Sequence, residues 1–187
     1  MNNNIKILIT GANGYIGNCL YHYLIKKNYQ IIGLDKQVNL NKKIYKCNLL
    51  NIKKIDKILS KEKPNIIIHF AAQSLVDKTI NKKKYYDNNV KTTKNLLMLM
   101  KKHNIKKLIF SSTAAIYKQN SFPVKENAII KPLSNYAKTK LICEKNIKKN
   151  KIINSIILRF FNVCAALDKP SIGLLKNRIT NLIPTVV

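Results

Sequence analysis

Acidic side chains are scarce in this chain. Its 187 residues include 8 Asp and Glu against 35 Lys and Arg, which gives a formal net charge of +27. Such an excess can indicate binding to nucleic acid or to an anionic membrane surface. The lysines are spread over helical segments and loops alike, and no Arg-rich or aromatic-interleaved stripe accompanies them. We therefore interpret the charge as solvated lysine surfaces that weakly favour an anionic substrate, and we expect neither nucleic acid nor a membrane as partner.

Cysteine pairs and long apolar runs are also missing. The four cysteines (Cys19, Cys47, Cys143 and Cys164) lie far apart and form no C-x-x-C pair. This spacing argues against a zinc site or a redox dithiol and favours reduced thiols in or near the core. No apolar run approaches the roughly 20 residues that span a bilayer, and the N-terminal apolar stretch is too short for a signal peptide. We expect a cytoplasmic protein.

Apolar stretches alternate with helical patterns along the chain. Stretches rich in β-branched residues predict six buried strands, at 5–10, 30–35, 44–49, 66–70, 108–112 and 155–160. Apolar residues at helical spacing predict four helices between them, at 18–27, 52–63, 87–103 and 136–149. Strands that are apolar throughout and alternate with helices indicate an α/β fold, namely a Rossmann-like, doubly wound parallel sheet covered on both faces. Ligands of such sheets bind at the carboxyl ends of the strands.

A glycine-rich turn joins the first predicted strand to the first helix and reads G-x-x-G-x-x-G. Gly11 permits a tight turn, Gly14 lets backbone amides approach a pyrophosphate, and Gly17 lets the helix pack closely on the sheet. The helix N-terminus then presents unpaired N–H groups to the anion. Asp35 ends the second strand, where a carboxylate accepts hydrogen bonds from an adenosine ribose and repels a 2′-phosphate. The pattern predicts a dinucleotide site that prefers NAD, although Lys36 weakens that preference.

A hydroxyl, a phenol and an ammonium group follow the fifth predicted strand. Tyr136 and Lys140 form a Y-x-x-x-K pair, and residues at i and i+4 share one face of a helix. A neighbouring ammonium lowers the pKa of a phenol from its usual value of about 10. Tyr136 is therefore predicted to take a proton from a substrate hydroxyl as hydride leaves the same carbon. In this interpretation Thr113 bridges the substrate oxygen and the phenol.

Several stretches together resemble the extended short-chain dehydrogenases, and among them most closely the UDP-glucose 4-epimerases. The resemblance runs from residue 5 to the end of the chain. Besides the glycine turn and the Y-x-x-x-K pair, it rests on HFAA at 69–72, YYDNNV at 85–90, SSTAAIY at 111–117, RFFNV at 159–163 and NLIP at 181–184. The second of these stretches and the last two are the more specific to epimerases.

The resemblance implies a tightly held NAD and a UDP-sugar that is epimerised through a transient 4-keto intermediate. The cofactor contacts that it implies are Gly11, Gly14, Tyr15, Ile16, Gly17, Asp35, Asn48, Leu49, Phe70, Ala71, Ala72, Ser74, Asn88 and Phe161. The substrate contacts that it implies are Asn162, Asn181 and Leu182. The catalytic set that it implies is Thr113, Tyr136 and Lys140, with Lys140 also holding the cofactor. It further implies a homodimer through helices 87–103 and 136–149, both of which could bear a second apolar stripe.

Some positions depart from the family pattern. Asn48 stands where an acid is usual, Lys118 where glycine is common, and Cys164 where a small residue is common. The chain also ends at residue 187, before the C-terminal domain that supplies the remaining contacts to the UDP-sugar. We therefore expect residues 1–160 to form an NAD-binding domain and residues 161–187 to be the beginning of a truncated substrate-binding domain.

The sequence is also compatible with other functions. One is a related nucleotide-sugar epimerase or 4,6-dehydratase, although a dehydratase usually has an acidic pair just after the Ser/Thr strand end, which is absent after Thr113. Another is a catalytically incomplete NAD-binding remnant. A third is a basic protein that associates with nucleic acid.

Overall fold

Six parallel strands form one sheet in a computed structural model, which describes residues 5–37, 44–75, 79–118 and 123–164. The strands are β1 (Lys6–Thr10), β2 (Gln30–Asp35), β3 (Ile44–Lys46), β4 (Ile66–His69), β5 (Lys107–Thr113) and β6 (Asn154–Phe160). Their order in the sheet is β3-β2-β1-β4-β5-β6, and every pairing is parallel. The chain reverses its direction of winding between β1 and β4, which leaves a crevice at the carboxyl ends of these two strands. The predicted parallel α/β architecture is confirmed.

Helices connect the strands. They are α1 (Tyr15–Lys26), α2 (Ile52–Glu62), α3 (Lys82–Tyr85), α4 (Thr92–Lys102) and α5 (Asn135–Lys149). A π-helical segment, Tyr86–Lys91, joins α3 to α4, and a single 3-10 turn follows β5. Within the described ranges no helix is both long and apolar enough to cross a lipid bilayer.

Alternate side chains of the central strand face the two layers of helices. Leu8 belongs to the larger core cluster, with Leu59 of α2 and Met100 of α4, and all three are fully buried. Ile9 points to the opposite face, where it packs in a cluster with Tyr21 of α1. Burial of each such side chain contributes roughly 1.5–3 kcal/mol. The strands therefore form a rigid platform whose carboxyl edge carries the loops described below.

The single helix predicted at 87–103 is wrong in detail, because the structure has the π-helical segment followed by α4 in its place, with the short α3 directly before them. Two hydroxyl groups of the next turn donate to carbonyls of this segment, Thr92 to that of Asn88 at 2.6 Å and Thr93 to that of Asn89 at 2.7 Å. Apolar periodicity cannot reveal such a segment, because the change lies in the hydrogen bonding.

Two other predicted boundaries moved because of local turn chemistry. The first helix begins at Tyr15 rather than at residue 18, since Gly14 in extended conformation acts as its N-cap. The third strand ends at Lys46 rather than at residue 49, since the amide of Asn51 bonds the carbonyl of Asn48 at 2.8 Å and closes a turn. Three of the four cysteines are buried, as expected, but Cys164 is exposed.

The helices predicted to pair in a dimer expose few apolar side chains. Helices α4 and α5 pack on each other. The exposed positions along their outer faces are Lys94, Met98, Lys101, Lys102, Lys138, Ile142, Lys145, Lys148 and Lys149. The second apolar stripe expected on each helix is therefore reduced to Met98 and Ile142, because lysine occupies the positions around them.

Candidate dinucleotide and catalytic site

A cavity of about 630 Å³ opens at the carboxyl edge of the sheet. This volume lies within the roughly 300–1,000 Å³ that is usual for small-molecule sites. Its wall includes all of the predicted cofactor contacts, the three predicted catalytic residues and Asn162. Asn181 and Leu182 lie outside the described residues. The structure thus gathers the predicted residues in one place, while their individual roles stay predictions.

The wall also contains residues that the sequence did not single out as contacts. They are Asn13, Leu34, Lys36, Gln37, Cys47, Leu75, Thr92, Ser111, Ser112, Phe160 and Val163. Most of them are neighbours in sequence of predicted contacts, so the strand-end rule that identified the predicted set would have found them too.

Two glycines of the turn have no room for a side chain. Gly11 has a φ of +73°, and a Cβ atom there would lie 2.7 Å from the backbone nitrogen of Ala71. A Cβ atom on Gly17 would lie 2.2 Å from the carbonyl oxygen of Gly11. Any side chain at either position would push apart the turn, α1 and the loop after β4. The glycines therefore hold these three backbones in close contact around the cavity.

The first turn of α1 faces the cavity without a side-chain cap. Gly14 is the N-cap residue and contributes no side-chain hydrogen bond. Tyr15, Ile16 and Gly17 form this first turn and line the cavity. Helix N-termini combine N–H donors with the positive end of the helix dipole, and both favour an anion. The turn is thus shaped to receive a pyrophosphate.

Asp35 is fixed beside this turn by backbone donors. One carboxylate oxygen accepts a hydrogen bond from the amide of Asn13 at 2.9 Å, and the other accepts one from Gln37 at 3.1 Å. Among the described residues no other group uses the second lone pair of either oxygen, so both remain for a ligand. A carboxylate held in this way can accept hydrogen bonds from both hydroxyls of a ribose and would repel a phosphate on the 2′ position.

The predicted catalytic residues meet at the other end of the cavity. The hydroxyl of Ser134 caps α5 and starts the helix so that Tyr136 and Lys140 face the end of β5. The Nζ atom of Lys140 donates to the carbonyl of Ser111 at 2.6 Å and lies 5.9 Å from the centre of the Tyr136 ring. Thr113 hydrogen-bonds Tyr136. A hydroxyl, a phenol and an ammonium group are therefore held together.

Burial is the largest influence on the pKa values of Tyr136 and Lys140. Burial raises the pKa of Tyr136, and the hydrogen bond from Thr113 only partly opposes it. The net lowering of the Tyr136 pKa expected from the sequence is therefore not found among the protein groups alone, because burial outweighs the groups that favour the phenolate. Burial also lowers the pKa of Lys140 to about 8, against the opposing effects of Cys143 and Glu144. An additional positive charge bound beside Tyr136 would lower its pKa.

A buried ion pair behind α5 was not predicted. Glu144 is 2% exposed and is bound by Arg159 of β6 through two hydrogen bonds, of 2.8 Å and 3.1 Å. Ser112 of β5 also donates to this carboxylate. Burial opposes ionisation of Glu144, but the hydrogen bonds from Arg159 and Ser112 hold its pKa below the usual value. The one sequence signal was that Glu144 follows Lys140 by four residues and therefore shares its face of α5.

A second unpredicted network passes through His69. Its Nδ1 atom lies 2.6 Å from the hydroxyl of Thr10, and its Nε2 atom lies 3.1 Å from that of Thr93. The hydroxyl of Thr93 has one hydrogen and donates it to the carbonyl of Asn89, so Nε2 of His69 must be the donor to Thr93. Burial lowers the pKa of His69 to about 3, so Nδ1 carries no proton and accepts from Thr10. Thr10 in turn accepts from the amide of Ala71 at 3.3 Å, in the cavity wall.

The side chain of Asn89 connects the loop after β4 with α5. Its oxygen accepts from the amide of Gln73 at 2.7 Å, and its nitrogen donates to the hydroxyl of Thr139 at 2.9 Å. Thr139 directly precedes Lys140. The loop that lines the cavity and the helix that carries the Y-x-x-x-K pair are therefore joined through one buried side chain.

Curated proteins to which the chain is similar include UDP-glucose 4-epimerases. It is 36% identical to a UDP-glucose 4-epimerase of Lactobacillus helveticus, over 98% of this chain and 59% of that protein. It is 34% identical to a UDP-glucose 4-epimerase of Halalkalibacterium halodurans, over 98% of this chain and 58% of that protein. The chain thus spans less than two thirds of the length of these relatives.

Solved structures of sugar-nucleotide epimerases are also similar to this chain. The crystal structure of UDP-glucose 4-epimerase from Brucella ovis in complex with NAD superposes with a TM-score of 0.89 at 26% identity, over 97% of this chain and 59% of that one. The UDP-Glc/GlcNAc 4-epimerase of Campylobacter jejuni superposes with a TM-score of 0.79 at 32% identity, over 88% of this chain and 56% of that one. A family model described as the NAD dependent epimerase/dehydratase family matches residues 7–186. The chain belongs to the NAD dependent epimerase/dehydratase family.

Proposed function

We propose that this chain binds NAD and carries the hydride-transfer part of a UDP-glucose 4-epimerase. The observation that carries the proposal is one cavity that contains both the glycine turn with Asp35 and the set of Thr113, Tyr136 and Lys140. The relatives named above are UDP-glucose 4-epimerases, and the Brucella ovis structure holds NAD. No observation favours the dehydratase alternative over this one.

The residues of the cavity match the parts of the dinucleotide from one end to the other. The uncapped start of α1 suits the pyrophosphate, and Asp35 suits the adenosine ribose. Asn48 and Leu49 then lie on the side of the adenine base. Phe161 lies on the same cavity wall as Tyr136 and would contact the nicotinamide end. When bound, NAD supplies the acceptor for a hydride and a positive charge on its nicotinamide ring.

The side chains at the nicotinamide end would manage the proton that leaves with the hydride. Tyr136 takes the proton from the sugar 4-hydroxyl, and Thr113 aligns that hydroxyl with the phenol. The charges of Lys140 and of the nicotinamide ring offset the effect of burial on the phenol. Return of the hydride to the opposite face of the 4-keto sugar, with return of the proton, completes an isomerisation with no net redox change.

The predicted partners are part of the proposal. A UDP-sugar would begin its contacts at Asn162, with Asn181 and Leu182 as further predicted contacts. A homodimer through α4 and α5 stays a prediction, and the lysines on the outer faces of both helices oppose it at low ionic strength.

The Tyr136→Phe variant tests the proposal. Calorimetric titration of the 187-residue chain with NAD is expected to give equal affinity for the wild type and the variant, since the phenol oxygen is not needed for binding. Conversion of UDP-galactose into UDP-glucose, followed by chromatography of the nucleotide sugars, is expected for the wild type and not for the variant. Equal conversion by both would refute the role of Tyr136, and NAD binding without any conversion would favour the incomplete remnant.

A further inference from the structure

The turn after β3 lies against the carboxylate that is suited to the adenosine ribose. The amide of Cys47 donates to the backbone carbonyl of Asp35 at 2.7 Å, so the two strand ends are in direct contact. The next two residues, Asn48 and Leu49, line the same cavity as Asp35. A carboxylate in the position of Asp35 binds the adenosine ribose of NAD, and the adenine base is attached to this ribose. If the base extends from the ribose toward β3, it contacts Asn48.

The orientation of the Asn48 side chain is determined by its own turn. Its Oδ1 atom accepts a hydrogen bond from the amide of Leu50 at 2.9 Å, and a backbone amide can only donate. The oxygen and nitrogen of this amide are therefore assigned by the network rather than by convention. The backbone carbonyl of Asn48 accepts from the amide of Asn51. The group that remains for a ligand is Nδ2, a donor, which makes no hydrogen bond within the described part of the chain.

An N–H donor at the position of Asn48 discriminates between purine bases differently than a carboxylate at the same position would. Adenine presents an amino donor at position 6 and acceptors at N1 and N7. Hypoxanthine presents a carbonyl acceptor at position 6 and keeps the acceptor at N7, while its N1 carries a hydrogen and becomes a donor. A carboxylate that faces position 6 would accept from the amino group of adenine and would repel the carbonyl of hypoxanthine. An amide that offers only its N–H groups has an acceptor to bond on either base.

We infer that Asn48 makes the adenine end of this site tolerant of a 6-oxo purine, so that nicotinamide hypoxanthine dinucleotide binds as well as NAD. The inference rests on the proposed binding of NAD. Asn48 acts as a specificity-determining residue for the base, while the glycine turn and Asp35 contribute equally to the binding of both dinucleotides.

The test compares the dissociation constants of the two dinucleotides by calorimetric titration. For the wild type we expect the constants to agree within about threefold. In Asn48→Asp the carboxylate still accepts the hydrogen bond from the amide of Leu50. We expect this variant to bind NAD about tenfold or more tightly than nicotinamide hypoxanthine dinucleotide, because it gains a charged hydrogen bond to adenine. Asn65→Asp is the matched control, since Asn65 is exposed at the opposite edge of the sheet and its oxygen accepts from the amide of Lys6. This control adds the same negative charge and is expected to keep the wild-type ratio.

Two results would overturn the inference. One is a wild type that prefers NAD by tenfold or more, and the other is an Asn48→Asp variant whose ratio equals that of the wild type. Failure of the wild type to bind either dinucleotide would instead refute the proposed binding of NAD. Binding of NAD alone would refute only the role of Asn48.

Discussion

His69 makes the stability of this protein depend on pH in a way that one variant can isolate. The folded-state pKa of this histidine is lowered to about 3, because the ring is buried, with a smaller effect from the charge of Lys140. In the unfolded chain a histidine has a pKa of about 6.5. Below pH 6.5 the unfolded chain therefore binds a proton that the folded chain does not. The contribution to stability is complete above pH 6.5 and is lost as the pH falls toward 3.

The expected size follows from the two pKa values. Each pH unit between them costs about 1.4 kcal/mol of unfolding free energy per proton. Lowering the pH from 7.5 to 4.5 should therefore remove about 2.5 kcal/mol through His69. The buried carboxylate of Glu144, whose pKa is held below its usual value, loses stability in the same direction, so the wild-type curve alone does not isolate the histidine.

Comparison of the wild type with the His69→Gln variant isolates the contribution of His69 to the pH dependence of stability. Glutamine keeps a donor for Thr93 but does not titrate, so this variant should be less stable at pH 7.5 and should lose about 2.5 kcal/mol less than the wild type on acidification. Urea unfolding of both proteins at the two pH values gives this double difference. Nitrogen-15 NMR of the wild type should show His69 protonated at Nε2 alone down to pH 4.5. Equal pH slopes for the two proteins, or a His69 ring that gains its second proton above pH 5, would refute the assigned tautomer and its burial.

Two further predictions concern α5. Glu144→Gln should lower the unfolding free energy by about 3 kcal/mol in urea unfolding at neutral pH, because Arg159 is left largely buried without its counter-charge. It should also move the pKa of Lys140 below its value of about 8, because Glu144 raises that pKa, and NMR titration of the Lys140 side chain would detect the shift. An unchanged stability and an unchanged pKa of Lys140 would show that this pair is unimportant. Any homodimer through α4 and α5 should associate more tightly as salt is added, since salt screens the facing lysines; sedimentation velocity that gives the same association constant at low and high salt would contradict this account of the helix faces.

Features built from neighbouring residues were predictable from the sequence. The glycine turn, its strand and its helix are adjacent in the chain, and the steric demand at Gly11 and Gly17 follows from the spacing alone. The pair of Tyr136 and Lys140 is separated by one helical turn. Because parallel strands bring their carboxyl ends to one edge, the loops that line the cavity could be named before their distances were known.

Features that depend on distant residues were not predictable. His69 contacts Thr10 and Thr93, which are 59 and 24 residues away in the chain. The pair of Glu144 and Arg159 joins a helix to the far strand of the sheet. A pattern of apolar residues carries no information on such pairings, since each partner is an ordinary polar residue in its own segment.

The sequence by itself determined the parallel α/β architecture, the position of the glycine-rich turn and many of the residues around the cavity, because these follow from local spacing and from the direction of the strands. Tertiary structure alone decided the protonation of the site. Burial raises the pKa of Tyr136 and lowers that of Lys140, and the ammonium is directed to the carbonyl of Ser111 rather than to the phenol. Solvation and distance set these charges, and both exist only once the chain has folded.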